Sequence, residues 1–140
     1  RLKGFKKGMI HHKEYITREN IGYTNNTQEG AYDVTRNMLQ KLPKPQVIVC
    51  ENNLLALGVV NALRNLSLNI PDDIALMTFD IYPYSKIIQP QPTVIDINMY
   101  DIGIQAGRMM LHKLENPRLM VQSFTALPTL IQGQTTTRII

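Results

Sequence analysis

The strongest constraint on this chain is a strand–helix–strand pattern in residues 49–80, VCENNLLALGVVNALRNLSLNIPDDIALMTFD. A β-rich run ends at the polar pair Asn52-Asn53, a helix follows at once, and a Pro-Asp-Asp turn leads into a second strand that stops at Asp80. The second strand is unbroken apolar sequence, which is typical of a buried parallel sheet. Both strands end in polar side chains, and open α/β sheets bind small molecules at that edge.

Composition places the chain among globular proteins. Its 140 residues are enough for one domain with a hydrophobic core, and 44% hydrophobic and 19% charged residues are ordinary proportions. No apolar run approaches the ~18 residues that a membrane helix needs. The single cysteine, Cys50, excludes an internal disulfide and fits a reducing compartment such as the cytoplasm, while the residues alone leave secretion open.

Apolar spacing and turn residues divide the rest of the chain into alternating helices and strands. This alternation predicts an α/β fold with a mostly parallel, doubly wound sheet. We expect helices over residues 1–12, from Thr27 to Pro43, over 54–63, and from Asn98 or Asp101 to Asn116. We expect strands over 46–50, 74–79 and 93–97, and a weaker strand within 13–24. The chain is predicted to end with an extended segment over 123–131 and a polar tail over 132–140.

The helix over residues 54–63 is apolar nearly all round, so it must be covered on more than one side. The sheet can cover one face, and the other face needs a second layer or a partner chain. Ile87-Ile88 lies in a proline-rich loop, where the pair either folds under or meets another subunit. The residues alone leave both alternatives open; where a partner chain provides the cover, we expect a homodimer whose interface includes Leu54, Val59, Ile87 and Ile88.

Three polar side chains are candidates for binding a small molecule. Asn52 offers donors and acceptors, and the Asp80 carboxylate can accept two hydroxyl hydrogens at once, as the vicinal hydroxyls of a sugar require. The alternative is that Asn52 only caps a helix and Asp80 only begins a turn. Arg1 can add a rigid bidentate donor, or it can be a solvent-exposed residue at the start of the first helix. The residues alone leave these alternatives open.

Catalytic and nucleic-acid motifs are absent from the sequence. The three histidines lack metal-binding spacing, no nucleotide-binding or nucleophile motif is present, and Cys50 has the position of a buried structural cysteine. The net charge of +4 comes partly from lysines near the start, which we interpret as the solvated face of an amphipathic helix. We therefore expect a binding domain that is not an enzyme, has no metal or cofactor, and does not itself contact DNA.

The ordered motifs resemble the ligand-binding core of the LacI/GalR family of bacterial transcription regulators. The resemblance covers essentially all 140 residues. It is carried by RLKGF, VCENNLLALGVVNAL, NIPDDIALMTFD, PQPTVIDINMYDIGIQAGRMML and LPTLIQGQTTT, with Asn53 where that family usually has Asp and Gly133 where it usually has Arg.

The resemblance implies a periplasmic-binding-protein-like type I fold, in which two doubly wound subdomains are joined by crossovers and an effector binds between them. It divides the chain into residues 1–96, a C-terminal effector-binding subdomain without its first strand; 97–127, a crossover segment that belongs to the N-terminal subdomain; and 128–140, a return segment and tail. We accordingly expect the chain to be the C-terminal portion of a longer regulator, since it begins on a helix.

The resemblance also implies a function and a site. Arg1, Asn52 and Asp80 match the family's effector-contacting positions, and Met99 falls near an apolar position of the cleft. The implied function is that of an effector-sensing domain that binds a sugar or related small metabolite and controls an N-terminal headpiece, which binds operator DNA. The alternative function is that of a sugar-binding protein of the periplasmic type without a role at DNA.

Overall fold

Helices and strands alternate along the computed structural model, which describes residues 1–41, 43–80 and 89–137. The main helices and the parallel strands lie within a few residues of their predicted positions. They are α1 (Leu2–His11), α2 (Gln28–Leu39), β1 (Val47–Cys50), α3 (Asn53–Asn65), β2 (Ala75–Phe79), β3 (Thr93–Asp96), α4 (Met99–Glu115) and β4 (Thr129–Ile131), with a short 3-10 helix at Arg18–Asn20.

The four strands form one sheet in the order β1-β2-β3-β4. β1 pairs with β2 and β2 pairs with β3 in parallel, whereas β4 returns antiparallel to β3. In this register Cys50 is opposite Thr78, and Phe79 is opposite Ile95. The prediction of an α/β fold with a mostly parallel sheet is confirmed, and the carboxyl ends of the three parallel strands lie along one edge.

The core lies between the sheet and two packed helices. α3 packs on β1 and β2, and α2 covers the other side of α3. The buried apolar cluster joins these layers through Leu39, Cys50, Ala56, Val59, Leu63, Ile74 and Leu76. α2 is therefore the second layer that the apolar helix needs.

This packing corrects the prediction for Val59, which we expected at a dimer interface. Val59 is only 4% exposed and belongs to the core beneath α2, so a partner chain cannot reach it. Leu54, in the first turn of α3, is 38% exposed and stays available. Ile87 and Ile88 lie outside the described residues.

In the part of the chain that the structure describes, helices pack more closely on one face of the sheet than on the other. In β2, Leu76 and Thr78 are buried, whereas the alternate residues Ala75, Met77 and Phe79 are half-buried. α1 and α4 have no buried residue, and neither packs on another described helix or strand.

The predicted weak strand within residues 13–24 is wrong. This segment contains the 3-10 helix, and its polar side chains bond locally: the Asn20 Oδ1 atom accepts from the Thr17 N–H at 3.0 Å and from the Thr17 hydroxyl at 2.8 Å. Such bonds satisfy the backbone without a strand partner.

Part of the polar tail packs on the sheet, because Thr135 inserts beside the beginning of β2 and β3. Thr135 is 2% exposed. Its backbone C=O accepts from the Leu76 N–H at 2.9 Å, and its hydroxyl donates to the Leu76 C=O at 2.6 Å and accepts from the Thr93 N–H at 2.8 Å. This one residue thereby satisfies backbone groups of two strands.

Replacing Thr135 with valine keeps the side-chain shape and removes the hydroxyl. The buried Thr93 N–H then loses its acceptor, so we expect the free energy of unfolding to fall by about 1–3 kcal/mol. Urea-induced unfolding measures this loss. The matched control is Thr137→Val: Thr137 is exposed and its hydroxyl makes one bond of 3.3 Å to the Gly133 C=O, so a change within about 0.5 kcal/mol is expected. Equal effects of the two substitutions would contradict the role of Thr135.

The contact between α2 and α3 is closest at Gly58. A Cβ atom built there would collide with the Gln28 C=O and lie 2.7 Å from the Ala31 Cβ and 2.9 Å from the Tyr32 backbone N. Because two of these neighbours are backbone atoms, a side chain at position 58 would push the helices apart.

Gly58→Ala is therefore expected to lower the free energy of unfolding by about 1–3 kcal/mol through overpacking, despite the better helix propensity of alanine. Chemical denaturation tests this value. Gly8→Ala serves as the control, since nothing lies within 4 Å of a Cβ at that helical position. Alanine should be neutral or stabilising there by up to about 1 kcal/mol, and a Gly58→Ala variant as stable as the parent would refute the close packing.

Candidate functional site

The candidate site lies where β1 and β2 end side by side. The register pairs Cys50 with Thr78, and Asn52 and Asp80 each follow two residues later. Asp80 is also held to the next strand, because its N–H donates to the Ile95 C=O at 3.0 Å. Its φ of 68° lies in the left-handed region, which aspartate and asparagine adopt more readily than most residues. The structure thus brings the two predicted polar residues to one level of the same edge.

Arg1 joins the ends of these two strands. Its Nη2 atom lies 2.8 Å from Asp80 Oδ2 and donates to Asp80 Oδ1 at 2.9 Å, and its Nη1 atom donates to the Glu51 C=O. The guanidinium lies 5.0 Å from the centre of the Phe79 ring, where a cation–π interaction adds to the bonds. Arg1 is therefore in contact with Asp80 rather than simply solvated.

The Arg1–Asp80 pair remains open to solvent, with side chains 30% and 23% exposed. An ion pair this accessible contributes only about 0–1 kcal/mol to stability, since water screens it. A small molecule can therefore reach its donors and acceptors at little energetic cost to the fold.

Asn52 has a structural role at the same edge. Its Oδ1 atom accepts from the Leu55 N–H at 3.0 Å and so caps α3, as the alternative interpretation predicted. Its Nδ2 atom donates to Asn26 Oδ1 at 2.7 Å. Asn26 therefore belongs to the site although it was not predicted from the sequence. The Asn25-Asn26 pair directly before the α2 cap was the only available signal.

Met99 is less closely associated with the other candidates. It begins α4, beyond the carboxyl end of β3, and is 61% exposed. Asn98 precedes it with a φ of 46° and caps α4 by accepting from the Asp101 N–H at 3.3 Å. Arg1 and Asp80 are in direct contact, and Asn52 follows Glu51, whose C=O accepts from Arg1. No hydrogen bond or ion pair among the described residues joins Met99 to these three.

The remaining chemical candidates do not form a reactive centre in the described residues. Burial raises the pKa of the Cys50 thiol to about 12, so it is protonated at neutral pH and packs as a small apolar side chain. Within residues 1–41, 43–80 and 89–137, no three His, Cys, Asp or Glu side chains are grouped so as to hold a metal ion. None of the described helices combines the length and hydrophobicity needed to span a bilayer.

Residues 1–136 match the family model of the periplasmic binding protein-like domain. The chain is 28% identical over 138 residues to catabolite control protein A of Priestia megaterium, and this match covers 99% of the chain and 41% of that protein. The chain thus spans less than half the length of this relative.

Solved structures have the same fold. A LacI-type transcription regulator from Bifidobacterium animalis superposes with a TM-score of 0.92 and 22% identity, over 99% of this chain and 50% of that one. A LacI family regulator from Enterococcus faecium with bound ribose superposes with a TM-score of 0.87 and 19% identity, over 96% of this chain and 50% of that one. The periplasmic-binding-protein-like fold inferred from the motifs is confirmed, as is the resemblance to LacI-type regulators, and the chain belongs to the periplasmic binding protein-like domain family.

Proposed function

We propose that this chain is the effector-sensing part of a LacI-type transcriptional regulator that acts in the cytoplasm. A sugar or related small metabolite binds at the edge formed by Arg1, Asn52 and Asp80, with Met99 on the side of α4. The observation that carries the proposal is the Arg1 side chain, which joins the ends of β1 and β2 through the Glu51 C=O and the Asp80 carboxylate. The ribose bound to the Enterococcus faecium regulator supports a sugar as the ligand class.

The charges at this edge favour an uncharged ligand. Asp80 neutralises Arg1, so an anionic ligand would have to compete with a carboxylate that already occupies the guanidinium. A hydroxyl group can instead donate to Asp80 while its oxygen accepts from Arg1 or from an asparagine amide. Neutral sugars provide several such groups, whereas sugar acids and sugar phosphates add repulsion from Asp80.

The two-subdomain arrangement remains a proposal for the longer protein. α4 has no buried residue, which supports assigning residues 97–127 to a second subdomain, and β4 brings the chain back to β3. β1 is at the edge of the sheet with Val47 44% exposed, which supports a further strand beside it. Ligand binding would favour the closed arrangement of the subdomains only by its higher affinity for that state. Closure would then change the affinity of a separate headpiece for operator DNA.

Thermal melting of the longer protein against neutral sugars, sugar phosphates and sugar acids, beside Asp80→Asn, tests the ligand class. We expect a neutral sugar to raise the melting temperature of the parent protein, since a ligand at 100 times its Kd adds about 2.7 kcal/mol of stability. Asp80→Asn should abolish most of this shift because it removes the charged acceptor. Asparagine is preferred to alanine, because it tolerates the positive φ of position 80.

Asp72→Asn is the matched control: it makes the same change of charge at an exposed residue near the amino end of β2, away from Arg1. It should keep the full shift with the same sugar. If no neutral sugar shifts the melting temperature, or if Asp80→Asn and Asp72→Asn respond alike, the proposed binding edge is wrong.

We also propose a homodimer that uses the exposed Leu54 together with Ile87 and Ile88. Leu54→Asp should produce monomers in sedimentation velocity, because it places a charge in an apolar interface. The fold should tolerate this change, since an acidic residue is favourable in the first turn of a helix. Leu66→Lys is the control at the other end of α3, where Leu66 is 40% exposed and a cation is favourable. A Leu54→Asp protein that remains dimeric would exclude Leu54 from the interface.

A further inference from the structure

We propose that Asn26 is a positioning residue for the effector, which orients the amide of Asn52 and thereby sets the selectivity among neutral sugars. The inference rests on the proposed function and extends it to a residue on a different loop. It is carried by the bond of 2.7 Å from Asn52 Nδ2 to Asn26 Oδ1, which connects the turn before α2 with the N-cap of α3.

The turn that carries Asn26 is held in place by its neighbours. The Asn25 Oδ1 atom accepts from the hydroxyls of Thr24 at 3.1 Å and Thr27 at 2.7 Å, and the Thr27 hydroxyl accepts from the Gly30 N–H at 3.0 Å. A Cβ on Gly30 would collide with Thr24 and Asn25, so the turn packs directly on the beginning of α2. Asn26 itself has a φ of 60°, a conformation that asparagine adopts more readily than most residues.

The two bonds of the Asn52 amide fix which of its atoms remain for a ligand. Its Oδ1 atom is engaged by the Leu55 N–H, and one of its two N–H groups is engaged by Asn26. Within the described residues, the second N–H of Asn52 has no partner. The end of β1 therefore offers this amide donor, while the end of β2 offers the Asp80 acceptor.

A ligand that matches this polarity accepts hydrogen bonds at the β1 end and donates them at the β2 end. A neutral sugar does both with its hydroxyl groups, and its ring oxygen adds a further acceptor. Two sugars that differ in the orientation of one hydroxyl should differ more in their affinity for a fixed Asn52 amide than for a rotating one. Without Asn26, Asn52 keeps its capping bond, and its free N–H is no longer held by a second contact.

The test compares Asn26→Gly and Asn26→Asp in the longer protein. Glycine keeps access to the positive φ and removes the amide, whereas aspartate also tolerates that φ and keeps an acceptor for Asn52. Asn65→Ala is the control, because Asn65 Nδ2 donates to the Tyr32 hydroxyl at 2.9 Å and so also links α3 to α2, at the other end of α3. Two readouts are used: calorimetric titration with D-ribose, D-xylose and D-glucose, and the side-chain amide signal of Asn52 in ¹⁵N–¹H spectra.

We expect Asn26→Gly to shift the Asn52 signal, to weaken binding of the preferred sugar about fivefold, and to narrow the preference among the three sugars. Asn26→Asp should restore the Asn52 signal and the preference, and Asn65→Ala should change neither. An unchanged Asn52 signal in Asn26→Gly overturns the inference. The inference is also overturned if the parent protein binds a sugar and Asn26→Gly binds the three sugars with unchanged affinity and preference. If the parent protein binds none of the three sugars or the wider panel, the proposed function fails, and the Asn52 signal alone decides the role of Asn26.

Discussion

Parallel pairing of β1 with β2 is the constraint on which the candidate site depends. A parallel register places the carboxyl ends of neighbouring strands at one edge, and here it sets Cys50 opposite Thr78, two residues before Asn52 and Asp80. A shift of one residue in this register would exchange the two faces of the strand, moving Leu76 and Thr78 out of the core. Burial of these side chains therefore fixes the geometry of the edge. The polar residues at the edge therefore do not need to contribute to the stability of the fold.

The Arg1–Asp80 pair illustrates this separation between the core and the candidate site. It is exposed enough to be nearly neutral for stability, and an acid–base pair of this kind offers donors and acceptors without net charge. The stabilising contacts are elsewhere, in the apolar layer beneath α3 and in the bonds of Thr135 to β2 and β3. Selection for a different ligand could change the edge residues while leaving these contacts intact.

Local patterns in the sequence predicted the elements and their order. The threonine at position 27 and the asparagine at position 52 cap α2 and α3, as their positions before apolar stripes indicated. Parallel strands were predicted from unbroken apolar runs, and Asn52 and Asp80 followed from where those runs end. These inferences need only residues that are close in sequence.

Features that depend on distant residues could not be predicted in this way. The burial of Val59 depends on α2, which comes earlier in the chain, and the role of Thr135 depends on β2 and β3. Asn26 reaches Asn52 across 26 positions. A polar residue in a turn has the same local signature whether it faces solvent or a binding edge, so Asn26 and Thr135 had no distinctive pattern.

Asn52 both caps α3 and belongs to the candidate site, and this double role constrains how a ligand could move the protein. α3 is packed on β1 and β2 and is held against α2 at Gly58, where there is no room for a side chain. A ligand that displaces Asn52 would therefore displace the whole packed unit of α2, α3 and the sheet. Because dense packing resists gradual deformation, we expect this unit to move as a rigid body. The motion would then be concentrated where the chain leaves and rejoins the sheet, near Ile97 and Pro128.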